Sequence, residues 1–258
     1  MAAGLSRANL NSATLVRILA ELAVPAANLG SAAGAADPKA TLAERLGAWL
    51  EWTDAIALSA ALNHDAPAPP AHDGGPAAAR ALGEAVDRVR AELARSFSQD
   101  DKKDDRKDDR QSDRTAADAD DPAAHRRRYQ AHQRAMAARI EPLRARARAV
   151  LAARSPALGR LAALDATWEQ ALGERERHAL SRLPGLLEVH FKRLRAAAAA
   201  PEAAAQDTNP APLPRPTSDW IHTYCNDVRS VLLAELALRL QPVDGLVAAL
   251  RNETTNRP

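Results

Sequence analysis

The amino-acid sequence predicts an all-α protein: an antiparallel helical bundle with a helical hairpin at its N-terminus and disordered connectors. Apolar residues make up 46% of the chain and are mostly Ala and Leu, whereas aromatic residues make up only 3%. This composition favours helices over strands. Apolar residues recur at strides of three and four, and capping residues followed by proline precede several of these segments, as at helix starts.

The first two predicted helices, 12–24 and 39–62, form an N-terminal hairpin within residues 1–63. Along the second helix a stripe of side chains follows the helical period and is expected to face inward: Leu42, Leu46, Trp49, Thr53, Ile56 and Ala60. Trp49 lies on this stripe, and Trp52 lies about 60° from its centre. One interpretation makes both indoles part of a filled core. The other makes them a partner-docking groove, because tryptophan is enriched at binding hot spots.

Three segments have the composition of connectors. Residues 64–76 are rich in proline and glycine, which interrupt helices, and residues 201–217 are rich in proline. Residues 98–121 are rich in aspartate and lysine or arginine without apolar periodicity, which predicts a charged disordered linker. A single helix, 77–97, is expected between the first and the charged connector.

Residues 122–200 are predicted to form a helical bundle from helices at 122–154, 156–182 and 185–199. Asp121 and Ser155 each precede a proline, which is a strong N-cap signal. Pro142 is expected to kink the first of these helices. Two of the helices carry apolar stripes, with Tyr129, Met136, Ile140, Leu143, Ala147 and Val150 on one and Leu161, Leu164, Trp168 and Leu172 on the other.

The C-terminal residues, 218–258, are expected to complete the bundle with helices at 218–240 and 242–251, separated at Pro242. The first of the two has the widest apolar face of the chain, and this face predicts a central position in the bundle. Its members are Ile221, Val228, Leu232, Leu236 and Leu240.

Several helical segments together resemble an uncharacterised bacterial family, the domain-of-unknown-function family numbered 3348. The resemblance is carried by LVRILAELA, LAERLGAWLEWTDAIALSAALN, RYQAHQRAMAARIEPLRARARAVLAARSPALGRLAALDATWEQAL and LLAELALRLQPVDGLVAAL. It implies no known activity and no catalytic residues. Members of this family look to be encoded near envelope proteins with peptidoglycan-binding or stator-like features. The resemblance therefore implies a cytoplasmic accessory to an envelope-associated complex.

Residue types that carry chemistry do not occur here in a catalytic or ligating pattern. No metal-ligand spacing is present, and the arginines that flank His125 and His132 repel cations, so the histidines are interpreted as solvated or capping. No glycine-rich phosphate loop is present, which predicts no cofactor. Cys225, near His222, is interpreted as a small buried hydrophobe. Asp165 is either a half-buried carboxylate with a raised pKa or an edge residue paired with arginine.

The helix at 126–154 is the most basic segment, with nine arginines against one glutamate. Arg126, Arg127, Arg128 and Arg134 are its candidate interaction residues. Three interpretations stay open: a solvated helix face, a docking surface for an acidic protein or anionic membrane, and a non-specific nucleic-acid site. The last is the least favoured, because no aromatic residues are interleaved for base stacking and the whole chain has a net charge of only +2.

Taken together, these features predict a non-enzymatic protein-interaction or scaffold module without a metal or a cofactor. Its partner is expected to be a protein, and a homo-oligomer is an open alternative. The second hypothesis is a non-specific binder of nucleic acid or anionic surfaces through 126–154. A cytoplasmic location is expected, because the single cysteine suits a reducing compartment and no apolar run is long enough to span a membrane.

Overall fold

The computed structural model describes residues 14–19, 52–63, 76–105, 121–205 and 219–255. These residues are helical apart from short caps and turns, and no strand occurs among them, so the predicted all-α class is confirmed. Residues 14–19 form a helical segment. The six further helices are α1 (Trp52–Asn63), α2 (Pro76–Asp105), α3 (Pro122–Arg154), α4 (Pro156–Leu180), α5 (Leu183–Ala205) and α6 (Asp219–Thr255).

Two predicted helix starts are confirmed in atomic detail. The backbone N–H groups of Ala123 and Ala124 donate to the carboxylate of Asp121 at 2.8 and 3.1 Å. Ser155 has an extended backbone, and its hydroxyl oxygen accepts a hydrogen bond from the N–H of Leu158 at 3.3 Å. Each cap satisfies donors that the first helical turn leaves without a partner. The third start predicted from a cap and a proline, at Asp37, lies outside the described residues.

Two helices extend well beyond their predicted C-terminal ends. Helix α2 extends to Asp105, eight residues into the predicted charged linker, and α5 extends to Ala205. Each residue added to an existing helix gains a hydrogen bond without a new nucleation cost, so a packed helix continues into polar or alanine-rich sequence. Nearly all the rest of the three predicted connectors lies outside the described residues, at 64–75, 106–120 and 206–217.

The predicted separation at Pro242 is wrong, because α6 is one continuous helix through that residue. Proline inside a helix costs about 3 kcal/mol. The side chains of Leu240, Val243 and Leu246, all buried, flank Pro242. Burial of each contributes roughly 1.5–3 kcal/mol, which is enough to offset that cost. Helix α3 likewise continues through Pro142.

The described residues fall into two compact units. The first contains 14–19, 93–105, 121–135, 182–205 and 219–238. Its core is rich in rings: Phe191 meets Trp220 and Tyr224 edge-on, with centroids 5.1 and 5.0 Å apart, and His125 meets Tyr224 at 5.1 Å. Edge-to-face aromatic pairs of this kind contribute about 0.5–1.5 kcal/mol beyond their buried area.

The second unit contains 52–63, 76–92, 136–181 and 239–255, and its core is aliphatic. The buried side chains from α2, α3 and α6 are Ala79, Leu82, Val86, Met136, Ile140, Leu143, Ala147, Leu151, Leu240, Val243, Leu246, Val247 and Leu250. The stripe predicted for α3 is therefore confirmed except at Val150, which is half-buried. Helix α4 buries fewer residues, and Trp168 on its predicted stripe is 37% exposed. Helix α1 packs against α4.

Candidate protein-docking face

Helix α1 is held to the second unit by one side only. Asp54, Leu58 and Ala61 are its half-buried residues, and they follow strides of four and three, which marks the side that packs on α4. None of the twelve side chains of this helix is buried. A helix this short is marginal without tertiary contacts, so its contact with α4 must stabilise it.

The opposite side of α1 is exposed, and its N-terminal half is apolar. Trp52, Ile56, Ser59 and Asn63 lie there at strides of four and three, and we call these four residues the α1 outer face. Trp52 is 81% exposed and Ile56 is 54% exposed. Leu62, 61% exposed, lies on the flank. At one end of the face the Asn63 amide donates to the backbone carbonyl oxygen of Ser59 at 2.9 Å.

The stripe expected to face inward on this helix is therefore wrong for Thr53, Ile56 and Ala60, which are all exposed. Helical periodicity identifies the apolar side of a helix but not the side that a neighbour covers. Here α4 covers the side that carries Asp54, Leu58 and Ala61. The interpretation of Trp52 as a core residue is also wrong. Trp49, the other indole of the predicted pair, lies outside the described residues.

Because Trp52 and Ile56 are exposed to water, the free protein does not gain the stability that burying them would provide. Burying a large apolar side chain contributes roughly 1.5–3 kcal/mol, and neither Trp52 nor Ile56 recovers this amount in the free chain. Single exposed apolar residues are ordinary, but Trp52 and Ile56 are neighbours on one helix side and form a continuous surface. A continuous apolar surface that includes tryptophan is typical of a protein-binding site.

The first part of the arginine-rich helix does not form one basic face. Arg126, Arg127 and Arg128 are consecutive, so their side chains point about 100° apart around α3. Arg126 lies 3.6 Å from a carboxylate oxygen of Glu188, and Arg127 lies 3.5 Å from one of Asp121. Arg128 is half-buried, and Arg134, the fourth candidate, is exposed.

Three arginines in the second part of that helix contact acidic residues. Arg139 contacts Glu92 at 2.7 Å. Arg144 and Arg148 both bind the carboxylate of Asp165, at 2.7 Å each, and both also bind Glu169. This four-residue network joins α3 to α4 and is mostly buried. Its arginines are therefore occupied by protein carboxylates and do not present a phosphate-binding surface.

The network decides between the two interpretations of Asp165. Burial raises the pKa of this carboxyl, but the hydrogen bonds from Arg144 and Arg148 outweigh burial and hold the pKa below its ordinary value. The interpretation as an arginine-paired residue is confirmed, and the alternative of a raised pKa is wrong. Burial also lowers the pKa of Arg148, yet its bonds to Glu169 and Asp165 leave that pKa raised.

Two histidines expected to be solvated or to act as caps, His125 and His190, are buried instead. The guanidinium of Arg193 lies 3.2 Å from Nδ1 of His190 and can only donate, so Nδ1 accepts. Nε2 of His190 then carries the proton and donates to Asp227 at 2.8 Å. Both ring nitrogens are occupied, so this histidine has no lone pair available for a general base. The described part of the chain contains no cluster able to hold a metal.

Cys225 was expected to be buried but is only half-buried, in the wall of a small cleft. His125, His132, Arg128 and Arg229 also line this cleft, whose volume of about 30 Å³ is close to that of a single water molecule. The adjacent Tyr224 is buried, and burial together with the nearby cysteine raises the pKa of its hydroxyl. A cleft this small does not admit an organic substrate.

Glu235 was not recognised from the sequence, although it is fully buried on α6. The hydroxyl of Tyr129 donates to its carboxylate at 2.7 Å, and the amide of Gln133 donates at 3.1 and 3.2 Å. The sequence does contain a signal for this contact. Glu235 lies three residues after Leu232, which places it on the apolar side of α6, and Tyr129 and Gln133 are four residues apart, which places them on one side of α3. These polar residues fix the pairing of α3 with α6.

Comparisons with known proteins agree with the resemblance found from the helical segments. None of the described helices carries an apolar stretch sufficient to cross a bilayer. No curated protein and no solved structure matches the chain significantly. One family model matches residues 1–252, nearly the whole sequence. The chain therefore belongs to the family described as Protein of unknown function (DUF3348).

Proposed function

We propose that this protein is a non-enzymatic protein-interaction module that docks its partner on the α1 outer face. The observation that carries the proposal is the exposure of Trp52, 81%, beside Ile56, 54%. Tryptophan loses little conformational entropy on binding and supplies a large contact area, so it is common among residues that dominate binding energy. Docking would recover the burial energy that these side chains lack in the free protein.

The pairing of the arginines disfavours nucleic acid as the partner. Five of the nine arginines between 126 and 154 contact carboxylates: Arg126, Arg127, Arg139, Arg144 and Arg148. A phosphate would have to displace these acids, most of all in the buried network with Asp165 and Glu169. The α1 outer face, by contrast, needs no such displacement.

The proposed role is non-enzymatic because three candidate catalytic groups among the described residues, at His190, Glu235 and Cys225, are hydrogen-bonded or enclosed. His190 uses both ring nitrogens, and the carboxylate of Glu235 is fully buried and accepts hydrogen bonds from Tyr129 and Gln133. The cleft beside Cys225 is about the size of one water molecule. These contacts support structural roles for the residues concerned.

The proposed setting is an envelope-associated complex, with the protein on its cytoplasmic side. The family resemblance supports this setting, since it implies an accessory to a membrane complex. The chemistry of the α1 outer face adds that the partner's contact surface is apolar.

Site-specific photo-crosslinking in the native host tests the proposal. A photoreactive phenylalanine analogue replaces Ile56 in one variant and Val189 in the other, because both side chains are 54% exposed. We expect a discrete crosslinked protein from position 56 and none from position 189. Trp52→Ala should then weaken the binding of that purified protein by about 30-fold, the effect of losing about 2 kcal/mol.

Equal crosslinking from positions 56 and 189 would show that neither marks a specific site and would refute the proposal. An unchanged affinity of the folded Trp52→Ala variant would refute it as well. Circular dichroism provides the folding control, since Trp52 makes too few contacts for its loss to unfold the chain.

A further inference from the structure

Among the described helices, α1 alone buries no side chain. Leu58 and Ala61 are its half-buried apolar residues, on the side that packs against α4. Helix α4, by contrast, buries Leu158, Ala162 and Leu180. The packing of α1 therefore contributes little to the core of the second unit.

The weak packing of α1 keeps its docked and released states close in free energy. A helix of twelve residues is marginal in water by itself, so α1 depends on its packing to stay helical. Its half-buried leucine and alanine recover only part of the stabilisation that full burial of such side chains provides. Elements with few buried apolar side chains open locally at a lower cost in free energy than the core of a protein does.

Helix α4 is held in place without α1. Its residues Asp165 and Glu169 bind Arg144 and Arg148 of α3, and the two contacts of Asp165 measure 2.7 Å each. This network is mostly buried, and its four residues all belong to α3 and α4. Release of α1 therefore leaves the contact between α3 and α4 intact.

We propose that α1 is a detachable helix, which releases from α4 as a unit while α4 stays packed on α3. In the docked state, Trp52 and Ile56 lie about one helical turn apart and form a continuous surface. In the released state, α1 is too short to remain helical, so these two side chains separate. Release thus removes the α1 outer face, and this consequence alone rests on the proposed function.

Hydrogen–deuterium exchange of the full chain, measured by mass spectrometry, tests the release. The backbone amides of residues 56–63 in α1 should exchange at least about 100-fold faster than those of residues 243–250 in α6. They should still exchange about tenfold slower than the same residues in an unstructured peptide, because the docked state predominates. Residues 158–169 of α4 should exchange at least about tenfold slower than α1, since the release leaves them folded.

Two leucine substitutions in α1 separate the release from other openings of the chain. Leu58→Ala weakens the packing against α4 and should speed the exchange of residues 56–63 about fivefold. The same variant should leave the exchange of residues 158–169 unchanged. Leu62→Ala removes the same residue type where the side chain is 61% exposed, and it should leave the exchange of both segments unchanged.

Three results would overturn the release. They are amides of α1 that exchange as slowly as those of α6, amides of α1 without any protection, and a Leu58→Ala variant that speeds exchange in α1 and α4 alike. The crosslinking experiment tests the docking function separately. Fast exchange in α1 without a crosslink from position 56 contradicts only the proposed function, whereas a crosslink together with slow exchange contradicts only the release.

Discussion

Helix α6 buries ten apolar side chains, whereas helix α1 buries none. Both helices are rich in alanine and leucine, so their composition does not separate them. The two helices differ in how far they are covered: α6 contributes buried side chains to the core of both units, whereas α1 packs against α4 and buries none. Apolar surface therefore stabilises the fold in α6 and stays accessible in α1.

This difference assigns the two helices separate roles. Substitutions in α6 should act on the free energy of unfolding, and substitutions on the α1 outer face should act on binding. Leu240 in α6 and Leu62 in α1 provide a matched pair, in which one residue type can be removed from both environments.

The largest expected effect comes from a buried leucine of α6. Leu240→Ala removes a fully buried side chain and should lower the free energy of unfolding by about 2–5 kcal/mol, since it leaves a cavity. Leu62→Ala in α1, where the side chain is 61% exposed, should change it by less than about 0.5 kcal/mol. Urea denaturation measures both. Equal losses would remove the distinction between the two helices.

The next effect concerns the ion-pair network between α3 and α4. Asp165→Asn leaves Arg144 and Arg148 without their shared carboxylate in a mostly buried place and should cost about 2–3 kcal/mol at neutral pH. Ser230→Asn, a change to the same amide at an exposed position of α6, is the control and should have little effect. A native-like stability of the Asp165 variant would show that the network does not hold α4 to α3.

The same network predicts the direction of a pH dependence. The pKa of Asp165 is lower in the folded protein than its unfolded value of about 3.9, so the unfolded chain binds the proton more readily. The stabilisation by this carboxylate is complete above about pH 5 and is lost as the pH falls below about 4. Asp165→Asn should remove this part of the acid sensitivity in denaturation curves measured from about pH 5 down to below pH 4.

A smaller effect is expected at the buried glutamate. Tyr129→Phe removes the hydroxyl that donates to Glu235 and should cost about 1–3 kcal/mol, because it leaves a buried carboxyl oxygen without this donor. Tyr224→Phe is the matched control, since the buried ring of Tyr224 acts through its edge-on contacts with His125 and Phe191. We expect thermal denaturation to separate the two variants, and equal melting temperatures would contradict the role of the Tyr129 hydroxyl.

The smallest expected effect on stability belongs to Trp52→Ala. The side chain is 81% exposed, so its removal should change the free energy of unfolding by less than about 0.5 kcal/mol. Urea denaturation of this variant should overlay that of the native chain. A loss above 1.5 kcal/mol, the burial energy of a large side chain, would indicate that Trp52 is packed in solution.

Local sequence signals predicted most of the fold. The caps at Asp121 and Ser155 act within three residues, so the sequence alone specifies the starts of α3 and α4. The stripe from Tyr129 to Ala147 and the buried side of α6 followed from apolar periodicity. The pairing of Asp165 with arginine could be foreseen as well, because an acid at the edge of an apolar stripe in an arginine-rich chain finds a partner.

The candidate site could not be predicted to the same degree, because burial depends on neighbours that are distant in sequence. The stripe through Thr53 and Ile56 is apolar, yet α4 packs on the side with Leu58. Likewise, Glu235 lay on a predictable buried side, but its donors Tyr129 and Gln133 come from a helix about a hundred residues away. Periodicity identifies a face, and only the three-dimensional structure shows whether it is covered.

Fluorine NMR of the protein labelled with 5-fluorotryptophan tests the exposure of Trp52 most directly. The fluorine resonance of Trp52 is assigned as the one that is missing from the spectrum of Trp52→Phe. In dilute protein this resonance should show the largest change in chemical shift between H₂O and D₂O. That shift should decrease when the partner covers the α1 outer face. A solvent shift as small as that of Trp220, which packs on Phe191, would contradict the account.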